Sequence, residues 1–242
     1  MRWIYLSPHL DDAALSAGGL IFEQARAGTP VEIWTLMCGF SPAGELSLFA
    51  QVNHKLWGFS SAEEAMPARR EEDIKAASLL GAKTVHFDFL DAIYRRGEQG
   101  VWLYTEGVCV PADPADGGLP AQIAEAVSLR LLPDDVVVCQ LAIGGHVDHV
   151  IVRKAAEQLG RPLWYDMDVP YVFHHPEERA ATAGMESSLH PVSLAGLRAW
   201  ERAIRAYPSQ FSGLFESRKA MKTSLEAYRG EQGGINLWRP AG

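Results

Sequence analysis

The sequence is short of cysteine, of long apolar runs and of positive charge, and each shortage removes a class of explanation. Cys38, Cys109 and Cys139 are the only cysteines among 242 residues, they form no CxxC pair, and their number is odd. That excludes a disulfide framework and a thiolate metal cluster; Cys38 and Cys139, in apolar runs, read as reduced core thiols. No run approaches the ~18–20 apolar residues of a membrane span. Met1-Arg2-Trp3 leads into a strand rather than into a signal-peptide core, so a cytoplasmic protein without an integral membrane segment is expected. The 22 Lys and Arg face 30 Asp and Glu, a net charge of −8, with no basic block to follow a phosphate backbone. Nucleic acid is not an expected partner. Internal repeats, low-complexity tracts and convincing linkers are also missing.

What is present is an alternation of strand and helix patterns. Residues 2–7, 30–38, 83–89, 134–141 and 161–166 read as strands, and 12–28, 68–81, 119–131 and 147–159 as the helices between them. Crossovers of that length imply a parallel sheet. The expected fold is therefore α/β: a Rossmann-like, doubly wound, mainly parallel sheet of order 3-2-1-4-5 with helices on both faces. The first and fourth strands, apolar on both sides, belong at its centre. Segments 39–63 and 90–118 read as long functional loops, since structureless connections of that length are otherwise uncommon in compact domains. Beyond residue 176 the pattern changes, with helices expected over 177–188 and 193–206 and an irregular end. One domain over 1–242 is expected, with a core of about 1–170 and a C-terminal elaboration over 171–242.

Two polar clusters stand where strands end. Ser7-Pro8-His9-Leu10-Asp11-Asp12 follows the first strand, and Gly144-Gly145-His146-Val147-Asp148-His149 follows the fourth. In the expected strand order these ends flank the point where the winding reverses, where ligands bind in such sheets. Either cluster alone has a plain reading, Asp12 as a helix N-cap and HxxH as chance spacing. Brought together, His9, Asp12 and His149 form a mixed nitrogen and oxygen set suited to a catalytic zinc with an open position. Ferrous iron accepts the same trio. Asp11 and His146 would lie beside the metal, and a carboxylate and a histidine there suit a general base and an oxyanion partner. Gly18-Gly19 follows the acidic pair and lacks the spacing of a dinucleotide-binding turn.

PHLDDAAL (8–15) resembles the PHPDDE signature of the PIG-L/LmbE-like family of metal-dependent N-deacetylases, and GGHVDH (144–149) resembles that family's HPDH element. ARREEDIKAASLLGA (68–82) is similar to its RxxE helix, DFLDAIYR (88–95) continues the match, and AYPSQ (206–210) is a weaker echo. The resemblance implies a Rossmann-like fold and hydrolysis of an N-acetyl group on an N-acetylglucosamine-like amino sugar conjugate. It implies His9, Asp12 and His149 as metal ligands, Asp11 as the base that activates water, and His146 as the oxyanion partner. Asp148 would orient a neighbouring histidine, and Arg69 and Asp91 would meet the substrate. Leu10, Ala13 and Val147 depart from the signatures at positions that neither bind metal nor act as base. Gly144 and Gly145 stand where some relatives carry a reactive tyrosine.

Related readings use the same residues: another metal-dependent amide or ester hydrolysis such as de-N-carbamoylation, or a sugar-binding module without catalysis. His54 and the pair His174-His175 are weaker candidates for substrate contact. Trp57 and Phe59 read as anchors of the first loop. Phe40, Phe49, Trp57, Trp102 and Tyr104 in the long segments predict a neutral or apolar group on the amino sugar rather than a nucleotide.

Overall fold

Chain order is β1 (Trp3–Ser7), α1 (Asp12–Arg26), β2 (Val31–Thr35), α2 (Leu48–Trp57), α3 (Ala62–Leu80), β3 (Lys83–His86), α4 (Leu119–Ser128), β4 (Val136–Gln140), α5 (Val147–Glu157), β5 (Leu163–Asp166), α6 (Tyr171–His174), β6 (Met185–Pro191), α7 (Leu194–Ile204), α8 (Pro208–Leu214), α9 (Arg218–Arg229) and β7 (Gly234–Pro240). The structure is a computed structural model that describes residues 1–41, 44–230 and 233–241, so residues 42 and 43 of the first long segment lie outside the described residues.

The sheet has the order β3-β2-β1-β4-β5-β7-β6. Its first five strands are parallel and follow the 3-2-1-4-5 order expected from the sequence; β7 joins β5 antiparallel and β6 closes the edge. Trp3 pairs with Val136 and Tyr5 with Val138, so β1 and β4 are neighbours in register and end at the same level. Ile4, Tyr5, Val137 and Val138 are buried, as central strands covered on both faces must be. The main apolar core runs from Ile4 to Leu237, and a smaller cluster of Leu10, Cys38, Ala50, Ala62, Met66, Ile93 and Tyr94 ties α2 and α3 to the turn at Ala92–Tyr94.

Four expectations need correction. The segment 39–63 is not structureless: it holds α2, capped by Ser47 Oγ, which accepts from Ala50 N–H at 3.0 Å, and ended by left-handed Gly58 at φ 84°. Its exposed side mixes Leu48, Val52 and Leu56 with Gln51 and Lys55, which blurs the usual helical pattern. Helix α3 begins at Ala62 rather than 68, running through Pro67, because Ser61 caps it by accepting from Glu64 N–H. Residues 177–188 do not form an α-helix: a 3₁₀ turn over Pro176–Thr182 precedes β6, with Gly184 at φ 77° between them. The C-terminal end is ordered as α8, α9 and β7 rather than irregular. The segment 90–118 does stay largely loop, with short 3₁₀ turns at Ala92–Tyr94 and Pro114–Asp116.

Candidate active site

The turn after β1 is built so that one carboxylate is left free. Ser7 Oγ donates to the His9 carbonyl at 2.7 Å and accepts from Ala13 N–H at 3.0 Å, while Asp12 Oδ2 accepts from His9 N–H at 2.7 Å. Those bonds hold the turn into α1. Asp11 is the N-cap residue, yet its side chain makes no capping hydrogen bond and lines the pocket instead. Burial first, and then the charge of Asp12, push the Asp11 carboxyl up to about 7, against the pull of Arg69 and His9. A base poised there suits proton transfer near neutral pH.

The second cluster arrives from the end of β4. Gly144 and Gly145 take φ of 82° and 66° to turn the chain, and a Cβ on Gly144 would lie 2.8 Å from the Tyr171 ring. The turn therefore admits no side chain at 144, and Tyr171 fills that space. His146 caps α5 by accepting from Asp148 N–H at its Nδ1, 3.1 Å away. Burial and the neighbouring imidazoles hold His146 well below the usual histidine range, so the ring is neutral, with its proton on Nε2.

His9, His146 and His149 converge, with ring centroids 4.6, 5.0 and 5.3 Å apart. Each outer histidine is held from behind. His9 Nε2 meets Asp148 Oδ2 at 3.0 Å, and His149 Nδ1 meets Asp168 Oδ1 at 3.0 Å. This leaves His9 Nδ1 and His149 Nε2 facing Asp12 Oδ2, at 3.2 and 3.4 Å. His149 Nε2 is buried without a hydrogen-bond partner. An orphaned ring nitrogen, a second imidazole and a carboxylate around one point, each histidine backed by an aspartate, is a donor set that fits a divalent transition metal. The three imidazoles form one candidate cation group, and His9, Asp91 and Asp148 a second. Burial favours neutral His149, yet Asp12 and Asp168 raise it to about 9. Burial likewise opposes charge on Asp12, but His149 and His9 hold it well below the carboxylate range.

Each residue expected from the sequence has a definite position. His9, Asp11, Asp12, Arg69, Asp91 and His146 all line one cavity of about 200 Å³, open at the carboxyl ends of β1 and β4. Arg69 is buried with its guanidinium 4.4 Å over the Trp57 ring and its Nε unpartnered. Asp91 Oδ1 accepts from Ile93 N–H at 3.1 Å, and its Oδ2 lies 3.9 Å from His9 Nε2. His149 and Asp148 are fully buried behind this wall. Asp148 touches His9 and does not line the pocket: it also accepts from Ala92 N–H at 2.9 Å and from Arg95 Nη1 at 2.5 Å. Burial raises the cost of its charge, and the His9 and Arg95 contacts hold it well below the carboxylate range.

Several weaker candidates are revised. His54 is buried and bonded through Nε2 to the Tyr94 hydroxyl at 2.5 Å, so it anchors α2 and does not meet substrate. Trp57 lines the pocket as well as fixing its segment. Tyr104 is a core residue, its hydroxyl donating to Asp116 at 2.7 Å, and Trp102 stacks under Arg96. His174 is exposed, and His175 stands beside the Gly144 turn with Glu177 and Glu178 at 3.6 and 3.5 Å. Sequence reasoning missed Asp168 and Arg95. The available signal for Asp168 was Asp166-Met167-Asp168 directly after the fifth strand, at the same end of the sheet as the other clusters.

Comparison with known proteins gives a concordant result. A family model described as GlcNAc-PI de-N-acetylase, PIG-L, matches residues 4–159. The 2′-N-acetylparomamine deacetylase of Streptomyces fradiae is 31% identical over 176 residues, 70% of this chain; the match spans only 57% of that enzyme's length. The zinc-inhibited form of a teicoplanin deacetylase superposes with a TM-score of 0.83 at 28% identity, covering 99% of this chain and 97% of that one. An A40926 pseudoaglycone deacetylase superposes with a TM-score of 0.74 at 30% identity, covering 99% and 96%.

Proposed function

This chain belongs to the PIG-L family, and we propose that it is a zinc-dependent N-deacetylase removing the acetyl group from an N-acetylglucosamine-like amino sugar conjugate. The observation that carries the reading is the orphaned His149 Nε2 facing Asp12 and His9 on the wall where Asp11 stands free. Relatives named as deacetylases of acetylated paromamine and of teicoplanin support the substrate class.

His9, Asp12 and His149 would hold the metal, with Asp148 and Asp168 fixing the two imidazoles. A cation bound there polarises a carbonyl and lowers the pKa of water. Asp11 takes a proton from the attacking water as its oxygen bonds to the acetyl carbon. His146 Nε2–H donates to the oxygen that gains charge. The proton held by Asp11 then passes to the departing nitrogen as the C–N bond breaks, giving acetate and a free amine. Arg69 and Asp91 offer a donor fork and an acceptor to the sugar hydroxyls. The whole chain is read as one catalytic domain, and the buried thiols of Cys38 and Cys139 suit a cytoplasmic setting.

Replacing Asp11 with Asn tests the assignment. The variant is expected to keep its metal while turnover falls by roughly 10² or more, a usual general-base contribution. Full activity with unchanged metal content would remove Asp11 from its role. Metal analysis of the purified protein is expected to find zinc, or ferrous iron on the same trio; stoichiometric magnesium alone would contradict the ligand set.

A further inference from the structure

Arg95 is buried, and its guanidinium joins parts of the molecule that lie far apart in the chain. Nη1 donates to Asp148 Oδ1 at 2.5 Å and to the Leu90 carbonyl at 3.0 Å, while Nε donates to Asp116 Oδ2 at 3.0 Å. Asp116 is held in turn by the Tyr104 hydroxyl at 2.7 Å. The other oxygen of Asp148, Oδ2, accepts from Ala92 N–H and meets His9 Nε2 at 3.0 Å. Tyr104, Asp116, Arg95, Asp148 and His9 therefore form one buried chain of hydrogen bonds, and it ends on the imidazole that faces Asp12. Among the described residues, Arg95 is the only arginine or lysine whose side chain meets Asp148.

We propose that Arg95 is a positioning residue of the metal site: anchored on Asp116, it holds Asp148 Oδ1, aims Oδ2 at His9 Nε2, and so keeps His9 Nδ1 turned to the point shared with Asp12 and His149. This rests on the reading of His9, Asp12 and His149 as metal ligands. The terminal torsion of an aspartate is broad, so the carboxylate turns unless both oxygens are held; His9 and Ala92 hold one and Arg95 the other. Stability does not account for the arrangement by itself. Exchanging a buried ion pair for apolar residues of similar volume is often neutral or stabilising, and Arg95 Nη2 is buried without a hydrogen-bond partner. The Leu90 carbonyl adjoins Asp91 in the chain, so the same guanidinium also fixes the turn that brings Asp91 to the pocket. A planar fork serves these three acceptors together, whereas a lysine ammonium is a point charge on a flexible stem.

The test measures zinc affinity by competition with a chelator of known affinity, on full-length protein whose folding is checked by thermal unfolding. It compares the wild type with Arg95→Gln, Arg95→Lys, Asp148→Asn, the double variant Arg95→Gln with Asp148→Asn, and His9→Ala. Arg95→Gln is expected to weaken zinc binding by about tenfold and Asp148→Asn by about 10–100-fold, the range for partners of ligand imidazoles. The double variant is expected to bind zinc no more weakly than Asp148→Asn alone, because Arg95 acts through Asp148. Arg95→Lys is expected to recover part of the loss, since it keeps the charge without the fork. A role in stability alone would lower the unfolding midpoint and leave the zinc affinity of folded Arg95→Gln at the wild-type level, which would overturn the proposal. Losses that add in the double variant, or a lysine that binds zinc no better than glutamine, would overturn it too. If Arg95→Gln does not fold, Asp116→Asn, which frees the anchor and keeps Arg95, is expected to weaken zinc binding by a smaller factor, and wild-type affinity there would overturn the proposal. Wild-type affinity in His9→Ala would instead remove His9 from the ligand set, and the proposal with it.

Discussion

At the scale of single residues, the carboxylates behind the histidines are expected to decide whether the site can hold a cation. Asp168 is fully buried, sits at φ 51°, accepts from Ile143 N–H at 3.1 Å and fixes His149 through Nδ1. Asparagine tolerates that backbone conformation, so Asp168→Asn removes charge without forcing the chain. We expect metal affinity to fall by about 10–100-fold, as for other partners of ligand imidazoles, with secondary structure unchanged. Competition with a chelator of known affinity reads this directly; wild-type affinity would show that His149 needs no fixing. The front of the site was legible in the sequence because His9, Asp11, Asp12, His146 and His149 crowd two strand ends, where polar groups are costly and so informative. Its back was not. Asp168 stands two residues from Asp166 and Arg95 beside Arg96, ordinary charge pairs at element ends, and only the tertiary fold shows that Asp168 touches His149 and Arg95 touches Asp148.

At the scale of elements, α1 shows how a glycine pair inside a helix becomes a packing surface. Gly18 and Gly19 lie inside the helix, and a Cβ on Gly18 would stand 2.6 Å from Trp200 Cδ1, one on Gly19 2.8 Å from Val192 Cγ1. Trp200, on α7, is fully buried and donates from Nε1 to the Leu15 carbonyl at 3.0 Å, so the ring has no room to retreat. Gly18→Ala gains about 1 kcal/mol of helix propensity but meets about 1–3 kcal/mol of overpacking, and the second effect wins. A lower unfolding midpoint is expected, with recovery when Trp200→Leu is combined with it; a midpoint raised by the alanine alone would show that α1 and α7 yield easily. Burial also explains which elements the sequence disclosed. Strands β1, β2 and β4 are buried on both faces and read as apolar runs. Strand β6, Met185-Glu-Ser-Ser-Leu-His-Pro191, is largely exposed at the sheet edge and carries no such run, and β7 is recognisable only through its pairing with it. Helix α2 escaped because apolar Leu48, Val52 and Leu56 share its solvent side with Gln51 and Lys55, which leaves no clean polar face.

At the scale of the whole molecule, the sheet has two ends with different tasks. Metal-binding and catalytic candidates gather beyond the carboxyl ends of β1 and β4, while a charged clamp closes the opposite end. Arg2, just before β1, donates to Asp135, just before β4, from Nε at 3.0 Å and Nη2 at 2.7 Å, and to Glu32 on β2 from Nη1 at 2.9 Å. Asp135 also accepts from Leu132 N–H at 2.8 Å. Burial works against its charge, but the Arg2 and Leu132 hydrogen bonds prevail and hold the carboxyl below its ordinary value. A carboxylate depressed by folding stabilises the native state at pH values above about 4, and that contribution disappears as pH falls through the lowered native value. Asp135→Asn is therefore expected to cost about 1–2 kcal/mol at pH 7, the lower part of the range for charge-assisted bonds because Arg2 keeps some of its water. The gap between wild type and variant in denaturant unfolding should narrow as pH is lowered from 6 towards 3, since a protonated Asp135 and the asparagine that replaces it offer Arg2 similarly weak partners. Metal affinity, measured on the same preparations, should stay at the wild-type level, because the clamp and the site share strands but no side-chain contact. A gap that widens in acid would mean that Asp135 is stabilised in its protonated form, and a loss of metal would mean that the two ends of the sheet are coupled.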